Sequence, residues 1–166
     1  MRPTTIPRLL PVALLALAAA GCASFGSIPP NAPASEVRTL VGAPAEVWKN
    51  PDGSEVWEYP QGPLGTETFM VSFGPDHLVQ DVRQVLDENT ISKLRIGMTR
   101  EEVRRLIGRP GDVGYYDRTN EEIWSWRYRE WRVRKMELYV QFDRPTGTVK
   151  GISRFQIDPG GDPQKN

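Results

Sequence analysis

Apolar residues recur at helical spacing in two short segments of the chain, residues 37–41 and residues 103–107. In each segment three apolar side chains fall at positions i, i+3 and i+4, which places them on one face of a helix. A Gly-x-Pro triplet follows both segments; glycine suits the left-handed position after a last turn, and proline prevents the helix from continuing. Thr99 and Glu102 form a capping box ahead of the second segment. The pattern therefore predicts two short amphipathic helices.

Between and after these helices, short apolar segments alternate with turn sequences. Turn signals that contain proline and glycine lie at residues 50–53, 74–76 and 144–147. The predicted strands cover residues 47–48, 55–59, 68–73 and 78–85 in the first half and residues 113–117, 121–129, 135–143 and 148–157 in the second. Strands joined by such tight turns are antiparallel. One further helix is predicted at about residues 87–94.

The two halves of the chain repeat each other. Four blocks recur in the same order at offsets of 66 to 70, namely residues 37–44 with 103–110, 55–59 with 122–126, 69–73 with 138–142, and 79–85 with 149–155. The expected fold class is therefore α+β, with short helices packed on antiparallel β-sheet and the helix–sheet unit repeated in tandem. The counterpart of the helix at residues 87–94 would fall on the segment ahead of the first helix, where Pro29 and Pro30 break any helix, so the first copy is expected to be truncated.

The amino-terminal segment has the layout of a secretory signal. Arg2 and Arg8 precede an apolar run over residues 9–20, which is too short to cross a bilayer as a helix. The small residues before Cys22 resemble the lipobox of bacterial lipoproteins, L-x-x-x-[AG]-C. The resemblance implies cleavage between Gly21 and Cys22, a diacylglyceryl thioether on Cys22 and an acylated new amino terminus. The alternative is a stray cysteine in an ordinary cleavable signal.

These features divide the chain into parts and suggest its location. The expected parts are a lipoprotein signal peptide (1–21), a lipidated flexible tether rich in proline (22–33), a truncated repeat (34–86), a full domain (87–157) and a disordered tail (158–166). Ala23 and Ser24 follow the cysteine, where retention in the inner membrane usually shows an aspartate. By resemblance to Gram-negative sorting, the protein is expected on the outer membrane, lipid-anchored at Cys22 and facing the periplasm.

The composition argues against several classes of function. The chain has 21 basic and 21 acidic residues, and removal of a signal with two arginines leaves it slightly acidic, which does not suit nucleic-acid binding. His77, in a predicted turn, is the only histidine and Cys22 the only cysteine, so neither a disulfide nor a nitrogen–sulfur metal cluster can form. We therefore expect no enzyme activity, cofactor, small-molecule substrate or nucleic-acid partner. A carboxylate-based hydrolase is the most distant alternative.

The most recognisable sequence lies between residues 94 and 110. It reads L-R-I-G-M-T-R-E-E-V over residues 94–103 and L-I-G-R-P over residues 106–110. This resembles the L-x-x-G-M-T-x-x-E-V…G-x-P segment of the SmpA/OmlA (BamE-like) family, and the likeness extends over about residues 87–156. The resemblance implies a BamE-like fold in a small outer-membrane lipoprotein that binds partner proteins, without chemistry, in support of the β-barrel assembly machinery. Tandem units of this shape also resemble the fold of β-lactamase inhibitor protein.

One segment, residues 127–135, is dense in basic and aromatic residues and lies between two predicted strands, so it should form a protruding hairpin. The candidate partner-binding residues there are Arg127, Arg129, Trp131, Arg132, Arg134 and Lys135. Arginine and tryptophan favour interfaces, here with an acidic partner or anionic head groups. The alternative is a solvated hairpin edge whose charges prevent edge-to-edge aggregation.

The five tryptophans divide into two groups. Trp57, Trp124 and Trp126 occupy equivalent strand positions on one face of the predicted sheets, so they are expected in the core. Trp48 and Trp131 lie near turns and are expected to be exposed.

Together these features predict an outer-membrane lipoprotein that acts as a non-catalytic protein-binding scaffold, in outer-membrane protein assembly or in envelope maintenance. Two alternatives remain open at this point. One is a periplasmic binding protein that inhibits an enzyme, with the tandem fold acting as a clamp. The other is a structural envelope lipoprotein without a discrete client.

Overall fold

The computed structural model describes residues 24–157, so the signal segment, Cys22 and residues 158–166 lie outside the described residues. A 3₁₀ turn (Phe25–Ser27) comes first. The helices are α1 (Ala34–Val41), α2 (Glu88–Ile91) and α3 (Arg100–Ile107). The strands are β1 (Glu46–Lys49), β2 (Glu55–Pro60), β3 (Thr68–Phe73), β4 (Val79–Gln84), β5 (Asp112–Tyr116), β6 (Glu121–Glu130), β7 (Arg134–Asp143) and β8 (Thr148–Gln156).

The strands form two separate four-stranded sheets. Sheet 1 has the order β1-β2-β3-β4 and sheet 2 the order β5-β6-β7-β8, so each is a meander of sequential neighbours. Every pairing is antiparallel; Trp57 lies opposite Val71, and Trp124 lies opposite Val140. The α+β fold with a repeated helix–sheet unit is therefore confirmed, and the observed strand ends lie within one residue of those predicted.

Each sheet buries the face that its own helices cover. In the first core Val37 of α1 packs with Trp57 and Phe73, whose ring centroids lie 4.5 Å apart. In the second core α3 packs on Trp124 and Trp126 of β6. The prediction that Trp57, Trp124 and Trp126 are core residues is confirmed, since all three are buried.

The helix ends follow the sequence signals with one difference. The Glu102 carboxylate accepts the Thr99 backbone N–H at 2.7 Å, and the Thr99 hydroxyl accepts the Glu102 N–H at 3.2 Å, so the capping box is present. Gly42 and Gly108 end α1 and α3 with φ of +88° and +82°, as expected, but their ψ values of −171° and −170° are extended rather than helical. That combination is essentially restricted to glycine. Helix α2 ends at Ile91, three residues earlier than predicted.

The tandem repeat is visible in equivalent hydrogen bonds. The Tyr59 hydroxyl donates to the Gly42 carbonyl, and the Trp126 indole N–H donates to the Gly108 carbonyl, both at 3.2 Å. In each unit, therefore, an aromatic side chain from the second strand ties the end of the helix to the sheet.

Residues 25–33 do not form a flexible tether, which corrects the expectation for that part of residues 22–33. Phe25 stacks on Phe69 with ring centroids 4.2 Å apart, and Ile28 and Ala32 are buried in the first core. The proline content predicted a tether because it prevents helix and strand formation. It does not prevent apolar side chains from packing, and these residues remove part of sheet 1 from water.

Two equivalent hydrogen bonds align this segment with the second unit. The Asn31 N–H donates to the Val79 carbonyl at 3.2 Å, and the Gly97 N–H donates to the Val149 carbonyl at 2.8 Å, so positions 31 and 97 are equivalent. In this register the 3₁₀ turn at residues 25–27 stands where α2 ends in the second unit. The two prolines follow this turn, and within residues 24–33 no α-helix matches α2, so the truncation of the first copy stays a prediction.

The units stack so that sheet 1 is covered on both faces. Its face away from α1 carries Glu58, Thr68 and Met70, all of them fully buried. The second unit covers this face, because Arg104 of α3 lies 3.6 Å from the Glu58 carboxylate and the Arg109 backbone N–H donates to the same carboxylate at 2.6 Å. The layers are therefore α1, sheet 1, the helices α2 and α3, and sheet 2.

This stacking also explains the position of Trp48, which was expected to be exposed. Trp48 is half-buried on β1, and the guanidinium groups of Arg104 and Arg105 lie 5.1 and 4.8 Å from the centre of its ring. The expectation is corrected because α3 crosses β1, a contact between distant parts of the sequence. Trp131, by contrast, is 75% exposed, as predicted.

Candidate functional site

The β6–β7 hairpin ends in a tight turn that carries two exposed apolar residues. The Val133 N–H donates to the Glu130 carbonyl at 3.0 Å, which closes a β-turn with Trp131 and Arg132 at its two central positions. Trp131 and Val133 are 75% and 76% exposed, the largest fractions among the exposed large hydrophobic residues of the described chain. The tip therefore presents an aromatic and an aliphatic side chain directly to solvent.

The backbone of this tip is strained. Trp131 and Arg132 have φ of +50° and +60°, the signs found in a type I′ turn. Such turns strongly favour Asn-Gly, because residues with larger side chains lose about 1–2 kcal/mol each in the left-handed region. Strain of this kind persists at positions where surrounding structure imposes it, and it concentrates at functional sites. Trp131 and Arg132, held in this turn, therefore mark the hairpin tip as a candidate contact surface.

The six residues predicted as a contact surface do not form one cluster. Arg127 and Arg129 line a groove beside the hairpin, Trp131 and Arg132 form its tip, and Arg134 and Lys135 begin β7. Arg134 pairs with Glu130 at 2.5 Å, and Arg127 lies 4.0 Å from Glu137. Exposed pairs of this kind contribute little to stability. Within residues 24–157 the side chains of Arg132 and Lys135 make no hydrogen bond or ion pair, so their charges are available to a partner.

The groove beside the hairpin runs between the two units. It consists of two adjoining cavities of about 300 and 490 Å³ that share Glu67 and Leu86 as lining residues. Volumes in this range are typical of ligand clefts. One wall is Pro60 with the β2–β3 loop over residues 61–67, and the buried Trp126 and Leu86 contribute apolar surface.

The charge of the groove is mainly positive. Its basic lining residues are Arg109, Arg127, Arg129 and Arg132. The two acidic lining residues already have partners: the Gln61 amide donates to the Glu67 carboxylate at 2.8 Å, and Asp87 accepts the Thr90 N–H at 2.7 Å as the cap of α2. Four guanidinium groups outnumber these two carboxylates, so the groove is suited to a negatively charged ligand.

Sequence reasoning missed the groove and one of its arginines. Arg109 lies in the Gly-Arg-Pro triplet that follows α3, which indicates only that the helix ends. Its side chain reaches the groove because its own backbone N–H is bound to Glu58 of the other unit, a contact that no local pattern reveals. The β2–β3 loop, rich in glycine and proline, was likewise recognisable only as a connection.

The single histidine of the chain lies away from the groove. His77 is exposed in the β3–β4 turn at φ +59° and does not line the groove. In the part of the chain that the structure covers, no three His, Cys, Asp or Glu side chains are placed to hold a metal ion, and no helix has the length and apolar character to cross a membrane. Burial raises the pKa of Tyr128 to about 12, with a contribution from the Glu88 carboxylate, so this phenol stays neutral at physiological pH.

Comparison with known families identifies the second unit. Residues 84–152 match the family model of the outer membrane protein assembly factor BamE domain. This region contains α2, α3 and the first three strands of sheet 2, and continues into β8. The resemblance to the SmpA/OmlA (BamE-like) family is thereby confirmed, and the chain carries a BamE domain as its second unit. No curated protein sequence is significantly similar to the chain.

Two solved structures show limited likeness. One is an extracellular protein containing an SCP domain from Bacillus anthracis strain Ames, with 14% identity and a TM-score of 0.29 over 78% of this chain and 44% of that one. The chain thus spans less than half the length of that protein. The other is described as a candidate β-lactamase inhibitor protein from Streptococcus mutans, with 12% identity and a TM-score of 0.31 over 79% of this chain and 92% of that one. Both TM-scores are too low to indicate a shared function.

Proposed function

We propose that this protein is an outer-membrane lipoprotein, anchored through Cys22 and facing the periplasm, that binds proteins during outer-membrane protein assembly. The observation that carries the proposal is the BamE domain at residues 84–152, a domain of outer membrane protein assembly factors. The lipobox-like sequence ahead of Cys22 supports the anchor. The proposed role is non-catalytic, so the protein acts through its surfaces.

The compact packing of residues 25–33 supports a location close to the membrane. Phe25, which already packs on sheet 1, lies three positions after Cys22 in the sequence. Because an extended chain spans at most about 3.6 Å per residue, an acylated Cys22 would hold the folded body within roughly 11 Å of the lipid surface. A protein held so close to the bilayer is placed to meet partners that are themselves embedded in or bound to the outer membrane.

The hairpin tip is the contact surface that we assign to this function. Interface hot spots are enriched in tryptophan and arginine, and Trp131 and Arg132 stand side by side at the exposed tip. Their strained backbone gives no benefit to the isolated fold, which is consistent with a role in binding.

The test is crosslinking in cells followed by purification from detergent-solubilised outer membranes. A subunit of the β-barrel assembly machinery should co-purify with the wild type. The double variant Trp131→Asn, Arg132→Gly should reduce that recovery about tenfold or more, as expected for hot-spot residues. The matched control removes two exposed basic residues of the first unit, Lys49→Ser with Arg83→Ser, and should retain the partner. If no assembly subunit is crosslinked to the wild type, the proposed function is wrong.

A further inference from the structure

Half of strand β6 has an open edge. Strand β5 pairs with β6 only as far as Ser125, whereas β7 pairs with β6 along its whole length to Glu130. Residues 126–130 therefore have a neighbouring strand on one side alone. An unpaired edge presents a row of free N–H and C=O groups that can pair with another chain.

The direction of the backbone groups follows from the last contact with β5. The Ser125 carbonyl accepts the Gly111 N–H at 2.8 Å, so the backbone polar groups of Ser125 point towards the β5 side. In an antiparallel strand these groups alternate between the two neighbours from one residue to the next. The N–H and C=O groups of Arg127 and Arg129 therefore also point to the β5 side, beyond the place where β5 begins. No other strand of residues 24–157 pairs with this edge.

The open edge runs along the inter-unit groove. Arg127 lines the first cavity, and Arg129 and Arg132 line the second, so the two cavities follow the edge towards the hairpin tip. Opposite the edge lie Leu86 and the end of the β2–β3 loop, where Thr66 accepts a hydrogen bond from the Arg129 side chain at 3.4 Å. The groove thus combines unpaired backbone groups, apolar surface and four arginines.

We propose that the groove binds an extended, acidic segment of a partner protein, which adds to β6 as an extra strand. Main-chain hydrogen bonds to Arg127 and Arg129 supply the register, in the manner of β-strand addition. Carboxylates of the segment meet the arginines, with Arg109 at one end of the groove and Arg132 at the other. This inference rests on the proposed function, since it names the chemistry of one partner segment of a protein-binding lipoprotein.

The open edge favours a peptide over a lipid head group. An anionic lipid or a free phosphate can satisfy arginine side chains, but it cannot pair in register with alternating backbone N–H and C=O groups. Charge on edge strands also serves to prevent aggregation. Prevention of aggregation requires neither the groove nor apolar residues within it, such as Trp126, Leu86 and Phe69.

Binding of designed peptides to the purified, detergent-solubilised mature protein tests the inference. The probe is a fluorescent peptide of alternating glutamate and valine, long enough to span residues 126–130. The comparison peptides are its lysine–valine counterpart and the same acidic peptide N-methylated along one backbone edge. The acidic peptide should bind at least about tenfold more tightly than either one, a difference of about 1.4 kcal/mol. It should also slow hydrogen exchange at the amides of Arg127 and Arg129.

Two substitutions of Arg129 separate the contribution of its backbone N–H to peptide binding from that of its side-chain charge. Arg129→Pro removes an edge N–H that has no partner in the ladder, where proline is tolerated, while Arg129→Thr keeps the N–H. Both remove one charge. Binding of the acidic peptide should fall about tenfold further in the proline variant than in the threonine variant, with unchanged melting temperatures as the check on folding.

Several outcomes would overturn the inference. One is equal binding of the N-methylated peptide, since docking would then depend on charge alone. Another is equal binding of the lysine–valine peptide, or a response only to vesicles that contain anionic lipid. The proposed function is tested separately: if the tip variant loses the crosslinked assembly subunit while Arg129→Pro retains it, strand addition is excluded and the protein-binding role stands.

Discussion

Replacing Trp131 with asparagine and Arg132 with glycine should make the protein more stable and its partner binding weaker. Both residues hold positive φ in a turn that favours Asn-Gly. Each bulky residue in the left-handed region costs about 1–2 kcal/mol, so the strain to be relieved is about 2–4 kcal/mol. The new glycine offsets roughly 0.5–1 kcal/mol of this gain, because it loses more conformational entropy on folding than arginine does. Little burial is lost, because Trp131 is 75% exposed.

The expected net gain in the free energy of unfolding is therefore about 1–3.5 kcal/mol. For a chain of this length it corresponds to a rise in melting temperature of roughly 3–10 °C. Urea denaturation and calorimetry of the purified protein measure both quantities. The matched control is Val133→Ser, a neighbouring exposed residue without positive φ, which should change stability by no more than about 0.5 kcal/mol.

An unchanged or lowered stability of the double variant would refute this reasoning. It would mean that contacts of Trp131 and Arg132 with the folded chain offset the free-energy cost of their positive φ, so that the turn serves the stability of the fold. A stabilised variant that binds the partner as well as the wild type would show that the turn is strained but that the tip is not the contact surface.

Four further predictions follow from the packing and from the sequence. Trp124→Ala should lower the free energy of unfolding by about 3 kcal/mol or more, since it removes a buried ring that lies 4.7 Å from another core ring; a denaturation curve superimposable on wild type would contradict its burial. Gly108→Ala should be more destabilising than Gly42→Ala, because both residues share one backbone conformation but only at Gly108 would the new methyl group meet sheet 1, at 2.7 Å from its nearest atom. The difference between the two denaturation midpoints measures the effect of the contact between the units at Gly108. Equal midpoints would show that the units do not pack as described. Cys22→Ser should abolish incorporation of radioactive fatty acid and release the protein from the membrane fraction, and equal label on both forms would rule out acylation at this residue. The hydrogen bond from the Thr99 N–H holds the pKa of Glu102 below its ordinary value of 4.5. The ionised Glu102 carboxylate therefore stabilises the fold above pH 4.5, and this stabilisation is lost as the pH falls through the lowered pKa. Glu102→Gln should accordingly reduce the loss of stability that is measured in acid.

Much of the fold could be predicted because its signals are local. The capping box at Thr99 and Glu102 and the Gly-x-Pro triplets define the helices within a few residues. Strand ends follow from turn sequences, and the in-register repeat shows that the two units share one plan. These features depend on backbone chemistry over a few neighbouring residues, so a single sequence contains enough information to place them.

Features that arise from contacts between distant parts of the sequence could not be predicted in the same way. Trp48 was expected to be exposed from its place near a turn, yet two arginines of α3 cover it. Phe25 lies in a proline-rich segment but packs on Phe69 of sheet 1. Arg109 reaches the groove through a backbone bond to Glu58. Each of these contacts joins residues more than forty positions apart, and no periodic pattern encodes such a pairing.

The groove gives a reason for the first unit. Its arginines belong to the BamE domain, but its opposite wall is the β2–β3 loop of the first unit, and Glu58 of β2 fixes the backbone at Arg109. A BamE domain alone would leave the β6 edge open to solvent without a cleft around it. Stacking the first unit against α3 encloses that edge on a second side and provides Phe69 as apolar lining. The presence of two copies of the unit thus converts an exposed strand edge into a groove with a definite charge and shape. Selective binding of a partner segment requires both the charge and the shape.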